Sequence, residues 1–376
     1  MKSQGKRVFV GLSGGVDSAV SAALLKKEGY DVTGVFIKAW TPEGYPCTWK
    51  EDRRSAMRAA AVLDIPFITL DLEKEYKRDV VDYMIHEYKK GRTPNPDVMC
   101  NKEIKFGAFL KFALSQGANY VATGHYAQKV VSSKQSVVRK EKDSKTLMLN
   151  ADYLLLEGAD PDKDQSYFLW TLTQNQLKHI LFPVGHLQKE AVRKLAEKFN
   201  LPQATRKDSQ GLCFLGKIDM KEFLKEHIKT KKGKVLNQKG EVVGEHDGAI
   251  LYTLGERHGF SVKNKSTENT PMYIVAKDIN KNTITVASKI TPHEAQVQWS
   301  SLYLYNINWL NEAPKKSSQI SCRFRYRQEK VRCKFDGNKV IFDTPQLVAP
   351  GQSLVFYSPA EEEGDGEVCL GGGVIS

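Results

Sequence analysis

The chain has 376 residues, of which 41% are hydrophobic, and this supports two or three domains with hydrophobic cores. No stretch is long and apolar enough to predict a membrane span. Because a first strand is predicted to start by Val8, we expect no signal peptide and a cytoplasmic location. The formal charge of +12 favours a polyanionic partner such as nucleic acid, although charge alone leaves a role in solubility equally open.

The most informative stretch is a glycine-rich octapeptide between an apolar run at 8–10 and a helical pattern at 19–28. Such a turn points backbone N–H groups, with the helix dipole behind them, at one spot that suits pyrophosphate. Asp17 is a candidate ligand for Mg²⁺. The spacing differs from the Walker pattern, and an ordinary strand-to-helix turn is the alternative. The octapeptide consists of Gly11, Leu12, Ser13, Gly14, Gly15, Val16, Asp17 and Ser18.

The first two hundred residues alternate between predicted strands and helices, which indicates an α/β domain with a doubly wound parallel sheet. Ligands of such sheets bind at the carboxyl ends of the strands, where the octapeptide and the stretches 38–41 and 124–126 fall. The predicted strands cover residues 31–37, 67–70 and 120–123, and the predicted helices cover 49–63, 73–90, 102–116, 174–179 and 189–200.

The pattern changes beyond the sheet. A polar stretch at 130–156 predicts a hairpin, and short strands with turn signals dominate the last third of the chain. We predict an α/β domain over residues 1–207, a small central domain over 208–283 and a C-terminal β-barrel over 284–376.

The six cysteines form no C-x-x-C pair, which argues against a zinc site. Cys100 ends a proline-fixed loop. With Asn101 as N-cap, it would lie at the positive end of a helix that begins at Lys102, where a thiol pKa falls. A small, buried, structural cysteine is the alternative.

Cys213 lies in a polar, glycine-bearing loop with Lys207 nearby, which favours a reactive thiol. If folding brings Cys213 close to Cys100, the two can run thiol–disulfide exchange. The remaining cysteines are predicted to be packing residues at Cys322, Cys333 and Cys369, with Cys47 undecided.

Two further stretches have side chains suited to RNA. Residues 163–168 place polar side chains before an aromatic run, and this fits either RNA contacts or a capped helix start. Residues 321–328 alternate arginine with aromatic residues, which predicts Arg323, Arg325 and Arg327 on one face of a strand. A solvated edge strand guarded by charge is the alternative.

Taken together, these stretches resemble the tRNA-specific 2-thiouridylases, and the octapeptide resembles the S-G-G-x-D-S signature of pyrophosphatase-loop ATP pyrophosphatases. The resemblance covers nearly the whole chain. The matching stretches are 11–18, 92–106, 122–126, 163–168, 207–214, 325–328, 350–352 and 368–373.

The resemblance implies an enzyme that uses ATP and Mg²⁺ to adenylate the 2-oxygen of the wobble uridine of tRNA. A persulfide on the enzyme then displaces AMP and leaves 2-thiouridine. By the same resemblance, Cys213 carries the persulfide, Cys100 helps to release the sulfur, and a cysteine desulfurase or sulfur-relay protein supplies it.

Further roles follow from the resemblance alone. Asp97, with Asn95 and Pro96, would meet the target base, and Ile37 and Gly124 would contact adenosine. Ile37 stands where the family often has methionine, so a contact there is expected through the backbone. The implied tRNA contacts are His125, Lys163, Asp164, Gln165, Arg325, Tyr326 and Gln352.

Two other functions stay open at this point. A pyrophosphatase-loop ligase or amidotransferase acting on a small molecule would need neither Cys100 nor Cys213. A non-catalytic RNA-binding protein would leave the octapeptide without a purpose. ATP–pyrophosphate exchange that depends on tRNA separates the three.

Overall fold

The structure is a computed structural model that describes residues 5–45, 49–132, 153–207, 219–262, 271–288, 299–316, 319–358 and 367–376. Two cysteines considered above, Cys47 and Cys213, lie outside these residues. Within the described ranges, no helix combines the length and the hydrophobicity that a bilayer span requires.

The N-terminal domain is built on a parallel sheet of five strands. They are β1 (Arg7–Gly11), β2 (Asp31–Lys38), β3 (Phe67–Asp71), β4 (Tyr120–Ala122) and β7 (Ile180–Leu181). Their order is β3-β2-β1-β4-β7, so β2 and β4 pair with opposite sides of β1. The chain therefore changes direction across the sheet between β1 and β4, where doubly wound sheets bind their ligands. The predicted α/β class is confirmed.

Helices cover both faces of this sheet. They are α1 (Val16–Lys27), α2 (Trp49–Val62), α3 (consecutive segments Glu73–Tyr76, Lys77–Asp82 and Tyr83–Lys89), α4 (consecutive segments Pro96–Met99, Cys100–Phe109 and Leu110–Ser115), α5 (Gln174–Leu177) and α6 (Lys189–Lys198), with a 3₁₀ turn at Ser166–Leu169. Val8 and Val10 pack among residues of α1, α2 and α6, whereas Phe9 packs on the opposite face among residues of α4.

Helix α4 starts at Pro96, not at Lys102 as predicted. The Asn95 side chain accepts a hydrogen bond from the Val98 N–H at 3.2 Å, and proline is well suited to the first helical position because it has no N–H to leave unpaired. Asn101 is therefore not the N-cap. Cys100 lies inside the helix, just beyond its first turn.

The central domain contains a five-stranded sheet in the order β10-β9-β8-β12-β11 and the helix α7 (Met220–His227). Its strands are β8 (Gly233–Leu236), β9 (Val242–His246), β10 (Ser261–Val262), β11 (Tyr273–Asp278) and β12 (Thr283–Ala287), with a 3₁₀ turn at Ala249–Leu251. Because β12 pairs with both β8 and β11, the boundary predicted between residues 283 and 284 is wrong, and β12 belongs to the central domain.

The C-terminal domain is the predicted β-barrel. Its six strands follow the order β13-β16-β15-β14-β17-β18, and a β13–β18 pairing closes them. They are β13 (Trp299–Trp309), β14 (Gln319–Arg323), β15 (Val331–Asp336), β16 (Lys339–Gln346), β17 (Ser353–Tyr357) and β18 (Val368–Ile375). Cys322, Cys333 and Cys369 are fully buried, which confirms them as packing residues.

A hairpin from the N-terminal domain joins this barrel. The strands β5 (Ala127–Val131) and β6 (Tyr153–Glu157) pair antiparallel, as the sequence predicted, and β6 also pairs with β18. The chain thus adds two early strands to a sheet formed mainly by its last eighty residues.

The arginine stripe predicted on one strand is not formed. β14 ends at Arg323, and Arg325 and Arg327 lie in the turn that follows, where Arg327 has a φ of +62°. Arg323 is only 8% exposed and pairs with Glu157 and Asp164 instead of facing solvent. The turn breaks the period of two on which the prediction relied.

Candidate active site at the carboxyl edge of the parallel sheet

The octapeptide forms a tight turn between β1 and α1. The Ser13 N–H donates to Ser18 Oγ at 3.2 Å, and the Gly15 N–H donates to Ser13 Oγ at 3.3 Å. Gly14 has a φ of +83°, and a Cβ there would lie 2.5 Å from the Asp52 carbonyl oxygen. Only glycine fits this position, because both its backbone angle and the space around it exclude a side chain.

Two side chains from other parts of the N-terminal domain donate hydrogen bonds to the Gly14 carbonyl. It accepts hydrogen bonds from Ser55 Oγ at 2.9 Å and from Arg206 Nη1 at 2.8 Å. Arg206 also pairs with Asp52, on α2. The turn is therefore fixed to α2 and to the segment that leads toward residue 207.

Asp17 lies in the first turn of α1, and both of its carboxylate oxygens have partners. Lys189 Nζ lies 2.7 Å from Oδ1 and 2.8 Å from Oδ2, and the Tyr126 hydroxyl donates to Oδ1 at 2.7 Å. The described residues contain no group of three or more His, Cys, Asp and Glu side chains placed to hold a metal ion. A single carboxylate still fits Mg²⁺, which commonly takes one or two protein oxygens and completes its shell with phosphates and water.

The segment after β4 joins the octapeptide to helix α4. A Cβ on Gly124 would come within 2.9 Å of Asp17 and within 2.7 Å of the Ser18 nitrogen, so this glycine lies directly against the turn. The next residue, His125, packs its ring 5.7 Å from that of Phe106, on α4. The octapeptide turn is thus connected to helix α4 through Gly124, His125 and Phe106.

His125 is buried, and both of its ring nitrogens have polar neighbours. Its Nδ1 lies 2.7 Å from Thr123 Oγ1, and its Nε2 lies 3.4 Å from Lys105 Nζ. Burial, aided by the positive charge of Lys105, lowers the pKa of His125 well below its usual value, so the ring is neutral at pH 7.

Asp97 and Cys100 lie near the start of α4, on the same edge of the molecule. Burial raises the pKa of the Asp97 carboxyl, and the Lys105 ammonium opposes this. The Cys100 residue is only 6% exposed, as the structural alternative for this cysteine predicted.

The stretch 163–168 lies next to this edge, with its residues in different environments. The Gln165 side chain accepts the Tyr126 N–H at 3.0 Å, and Asp164 is 3% exposed. The Asp164 carboxylate accepts hydrogen bonds from Gly158 N, Ser166 N and Ser166 Oγ. These bonds give Asp164 a structural role in fixing the backbone at Gly158 and Ser166. Its implied contact with tRNA stays a prediction.

Gln352, of the barrel, binds the loop that precedes α4. Its Nε2 donates to the Thr93 carbonyl at 2.8 Å, and the Thr93 N–H donates to the Pro350 carbonyl at 2.8 Å. Thr93 Oγ1 also lies 3.0 Å from Thr253 Oγ1, in the central domain. All three domains therefore meet just before Asn95, Pro96 and Asp97.

Arg325 and Tyr326 lie in the turn after β14. Arg325 Nη2 donates to the Leu254 carbonyl, in the central domain, at 2.8 Å, and Tyr326 packs its ring 4.7 Å from that of Phe168. Ile37, at the carboxyl end of β2, and Gly124, after β4, flank the octapeptide on its two sides. That placement fits the two adenosine contacts, which remain predictions.

Sequence reasoning missed the residues that support the octapeptide from a distance. Lys189 is 172 positions from Asp17, and Arg206 is 192 positions from Gly14. A lysine that starts a predicted helix and an arginine in a loop carry no local signal, so only the folded chain could reveal them.

Comparison with known proteins gives three family models along the chain. They are the tRNA methyl transferase HUP domain over residues 6–217, the tRNA methyl transferase PRC-barrel domain over 221–288 and the aminomethyltransferase beta-barrel domain over 299–375. Fold and site thus define a pyrophosphatase-loop protein that carries two further β domains.

Curated relatives match the chain through all of these domains. It is 45% identical over 378 residues to the tRNA-specific 2-thiouridylase MnmA of Streptococcus thermophilus (strain ATCC BAA-491 / LMD-9), across 98% of this chain and 95% of that protein. It is 43% identical to the tRNA-specific 2-thiouridylase MnmA 2 of Geobacillus kaustophilus, across 98% and 94%. The chain belongs to the tRNA-specific 2-thiouridylase family.

Proposed function

We propose that this protein converts the wobble uridine of tRNA to 2-thiouridine in two steps, first by adenylating the uridine 2-oxygen with ATP and then by replacing it with sulfur. The observation that carries the proposal is the connection of the octapeptide turn to helix α4 through Gly124, His125 and Phe106. A phosphate cradle and a thiol-bearing helix at one sheet edge suit a reaction that needs both.

In the first step the turn binds the pyrophosphate part of ATP. Mg²⁺ on Asp17 would neutralise charge on the departing pyrophosphate. Ile37 and Gly124 contact adenosine, while Asn95, Pro96 and Asp97 receive the base. A base paired or stacked in tRNA must leave its stack to reach them. Adenylation is needed because a carbonyl oxygen is a poor leaving group, whereas AMP is a good one.

In the second step a persulfide on Cys213 attacks C2 of the adenylated uridine. The C2–O bond breaks and AMP leaves with its electron pair. The Cys100 thiolate then attacks the Cys213 sulfur, which leaves the outer sulfur on C2 and joins Cys100 to Cys213 in a disulfide. An external thiol reductant reopens it. Asp97 is the candidate acid or base for the protons that move.

The proposed partners are tRNA and a protein that donates sulfur, either a cysteine desulfurase or a sulfur-relay protein. The net charge of +12 favours the first of these. The tRNA contacts are His125, Lys163, Asp164, Gln165, Arg325, Tyr326 and Gln352. Because Asp164 and His125 are buried, we propose that they act by shaping this surface. Thiol chemistry of this kind suits the reducing cytoplasm.

The test is to incubate the protein with ATP, Mg²⁺, a persulfide donor and unmodified tRNA, and to measure 2-thiouridine by nucleoside mass spectrometry. ATP–pyrophosphate exchange should require tRNA. Exchange supported by a small molecule without tRNA would instead favour a ligase or amidotransferase.

Two variants separate the two steps. Asp17→Ala should abolish exchange, whereas Cys213→Ser should keep exchange and lose thiolation, because a hydroxyl cannot carry the sulfane sulfur. Cys322→Ser, within the barrel core, is a control for the loss of a thiol as such. Normal thiolation by Cys213→Ser would exclude Cys213 as the carrier.

A further inference from the structure

The Lys189 side chain reaches the octapeptide from the first residue of helix α6. This side chain is 11% exposed, and its Nζ lies within 2.8 Å of both Asp17 oxygens. We propose that Lys189 is a cation of the nucleotide site that exchanges between the Asp17 carboxylate and the pyrophosphate group of ATP. This inference rests on the proposed function, because it assigns a residue to the same site.

The backbone of Lys189 is fixed while its ammonium can move. Lys189 is the first residue of α6, and its N–H donates to Asp160 Oδ2 at 2.8 Å. Four methylene groups separate this anchored backbone from the ammonium, so rotation of the side chain alone can shift the charge by several ångströms. Asp17 and Ser18 are neighbours in the first turn of α1, so a short movement takes the ammonium from the carboxylate to the turn.

Charge explains why the ammonium would move. Asp17 carries a negative charge at the place where the turn would receive a polyphosphate, and the two repel each other unless a cation lies between them. Mg²⁺ held by Asp17 would need the carboxylate oxygens that the Lys189 ammonium now contacts. The ammonium would then find its next anion in the phosphates of ATP.

The low exposure of the Lys189 side chain favours the phosphates of ATP over those of tRNA as its ligand. Lysines that contact the backbone of a nucleic acid lie on the outer surface, whereas the Lys189 ammonium lies over the Tyr126 ring, 5.7 Å from its centre, beside α1. Phosphates bound in the octapeptide turn would lie within reach of this ammonium. Its transfer would place positive charge on the leaving pyrophosphate, where catalysis benefits most.

The first experiment measures inorganic pyrophosphate and AMP binding to the full chain by calorimetry, with Mg²⁺ and without tRNA. Lys189→Met should weaken pyrophosphate binding about tenfold or more, the effect of losing one charged hydrogen bond, and should leave AMP binding unchanged. Lys194→Met, which removes an exposed lysine of the same helix, is the matched control. Wild-type pyrophosphate affinity in Lys189→Met would overturn the proposal.

A second experiment tests whether the Lys189 ammonium moves from Asp17 to the phosphates. It compares a single variant with a double variant, so a loss of stability in Lys189→Met alone does not decide the result. Without metal, Asp17→Asn should bind pyrophosphate more tightly than the wild type, because the substitution releases the ammonium and removes a repelling charge. Adding Lys189→Met to Asp17→Asn should then weaken pyrophosphate binding again. Equal affinity of the single and double variants would exclude Lys189 as a phosphate ligand.

The two proposals fail in different ways. A wild-type protein that binds neither pyrophosphate nor ATP would contradict the proposed function. Normal nucleotide binding that is indifferent to Lys189 would contradict only the role of this residue.

Discussion

At the scale of single residues, burial is the main cause of the shifted pKa values of two groups in the candidate site. His125 is buried and Asp97 is half-buried, and burial shifts their pKa values in opposite directions, whereas the nearby Lys105 charge lowers both. Burial opposes charge in each case, so it raises the pKa of the Asp97 carboxyl and lowers the pKa of the His125 imidazole.

Replacing Asp97 with Asn should separate stability from activity. Since the folded state raises the Asp97 pKa above its unfolded value of 3.8, the folded chain binds this proton more readily, and its stability declines as the pH rises above about 4. We expect Asp97→Asn to remove that decline and to lower thiolation about a hundredfold or more. Urea unfolding at several pH values between 4 and 7 measures the first effect, and a slope equal to that of the wild type would contradict it.

His125 should add an opposite dependence on pH. Its folded pKa lies well below the unfolded value of 6.5, so the unfolded chain binds more protons as the pH falls below about 6.5, and stability is lost there. Because burial also lowers the pKa of His246, the wild type carries both contributions. His125→Gln should reduce the loss of melting temperature between pH 7 and pH 5 but not abolish it, and an unchanged loss would argue against a neutral His125.

At the scale of elements, prediction from sequence succeeded where the signal was local. The strand, turn and helix around Gly14 follow from neighbouring residues, and so does the hairpin of β5 and β6. It failed at the start of α4, where the sequence analysis took Asn101 as the N-cap and the structure places the cap at Asn95. Proline after Asn95 decided the outcome.

Long-range partners were beyond such reasoning. Arginines spaced by two predict a shared strand face, yet Arg323 is drawn inward by Glu157 and Asp164, which are more than 150 positions earlier in the chain. The pairing of Asp17 with Lys189 could not be predicted for the same reason. The sequence therefore indicated the parts of the site but not what holds them in place.

The cap at Asn95 gives a test at this scale. Asn95→Ala removes the hydrogen bond to the Val98 N–H and should lower the free energy of unfolding by about 1 kcal/mol. Asn95→Asp keeps an accepting oxygen at the same place and should retain most of the stability. Chemical denaturation of both variants measures the difference, and equal losses would show that the cap contributes nothing.

At the scale of the whole molecule, buried charges join the domains. Arg323, on β14, pairs with Glu157, on β6, and with Asp164, while Lys330 lies 2.8 Å from both Glu157 and Glu367. Such a cluster is costly to leave incomplete, because a buried carboxylate without its partner has lost its water as well. The barrel and the N-terminal domain are therefore expected to unfold together.

Arg323→Met should accordingly destabilise the protein by about 3 kcal/mol, since it leaves the buried Asp164 carboxylate without its cation. Adding Asp164→Asn should recover part of this loss. Calorimetry of both variants checks the coupling. Two separate unfolding transitions in the wild type, with only one affected by Arg323→Met, would contradict the view that the domains unfold as a unit.

The pairing of β6 with β18 also constrains the order in which a ribosome can complete this fold. Leu155 and Leu156 meet Cys369 and Val368, so the edge of an early hairpin waits for about 210 more residues to be made. At roughly 5–20 residues per second, the delay is about 10–40 seconds. During that interval β6 offers unpaired backbone groups to any other strand. A nascent chain stalled before residue 368 should therefore depend on chaperones more strongly than the finished protein does.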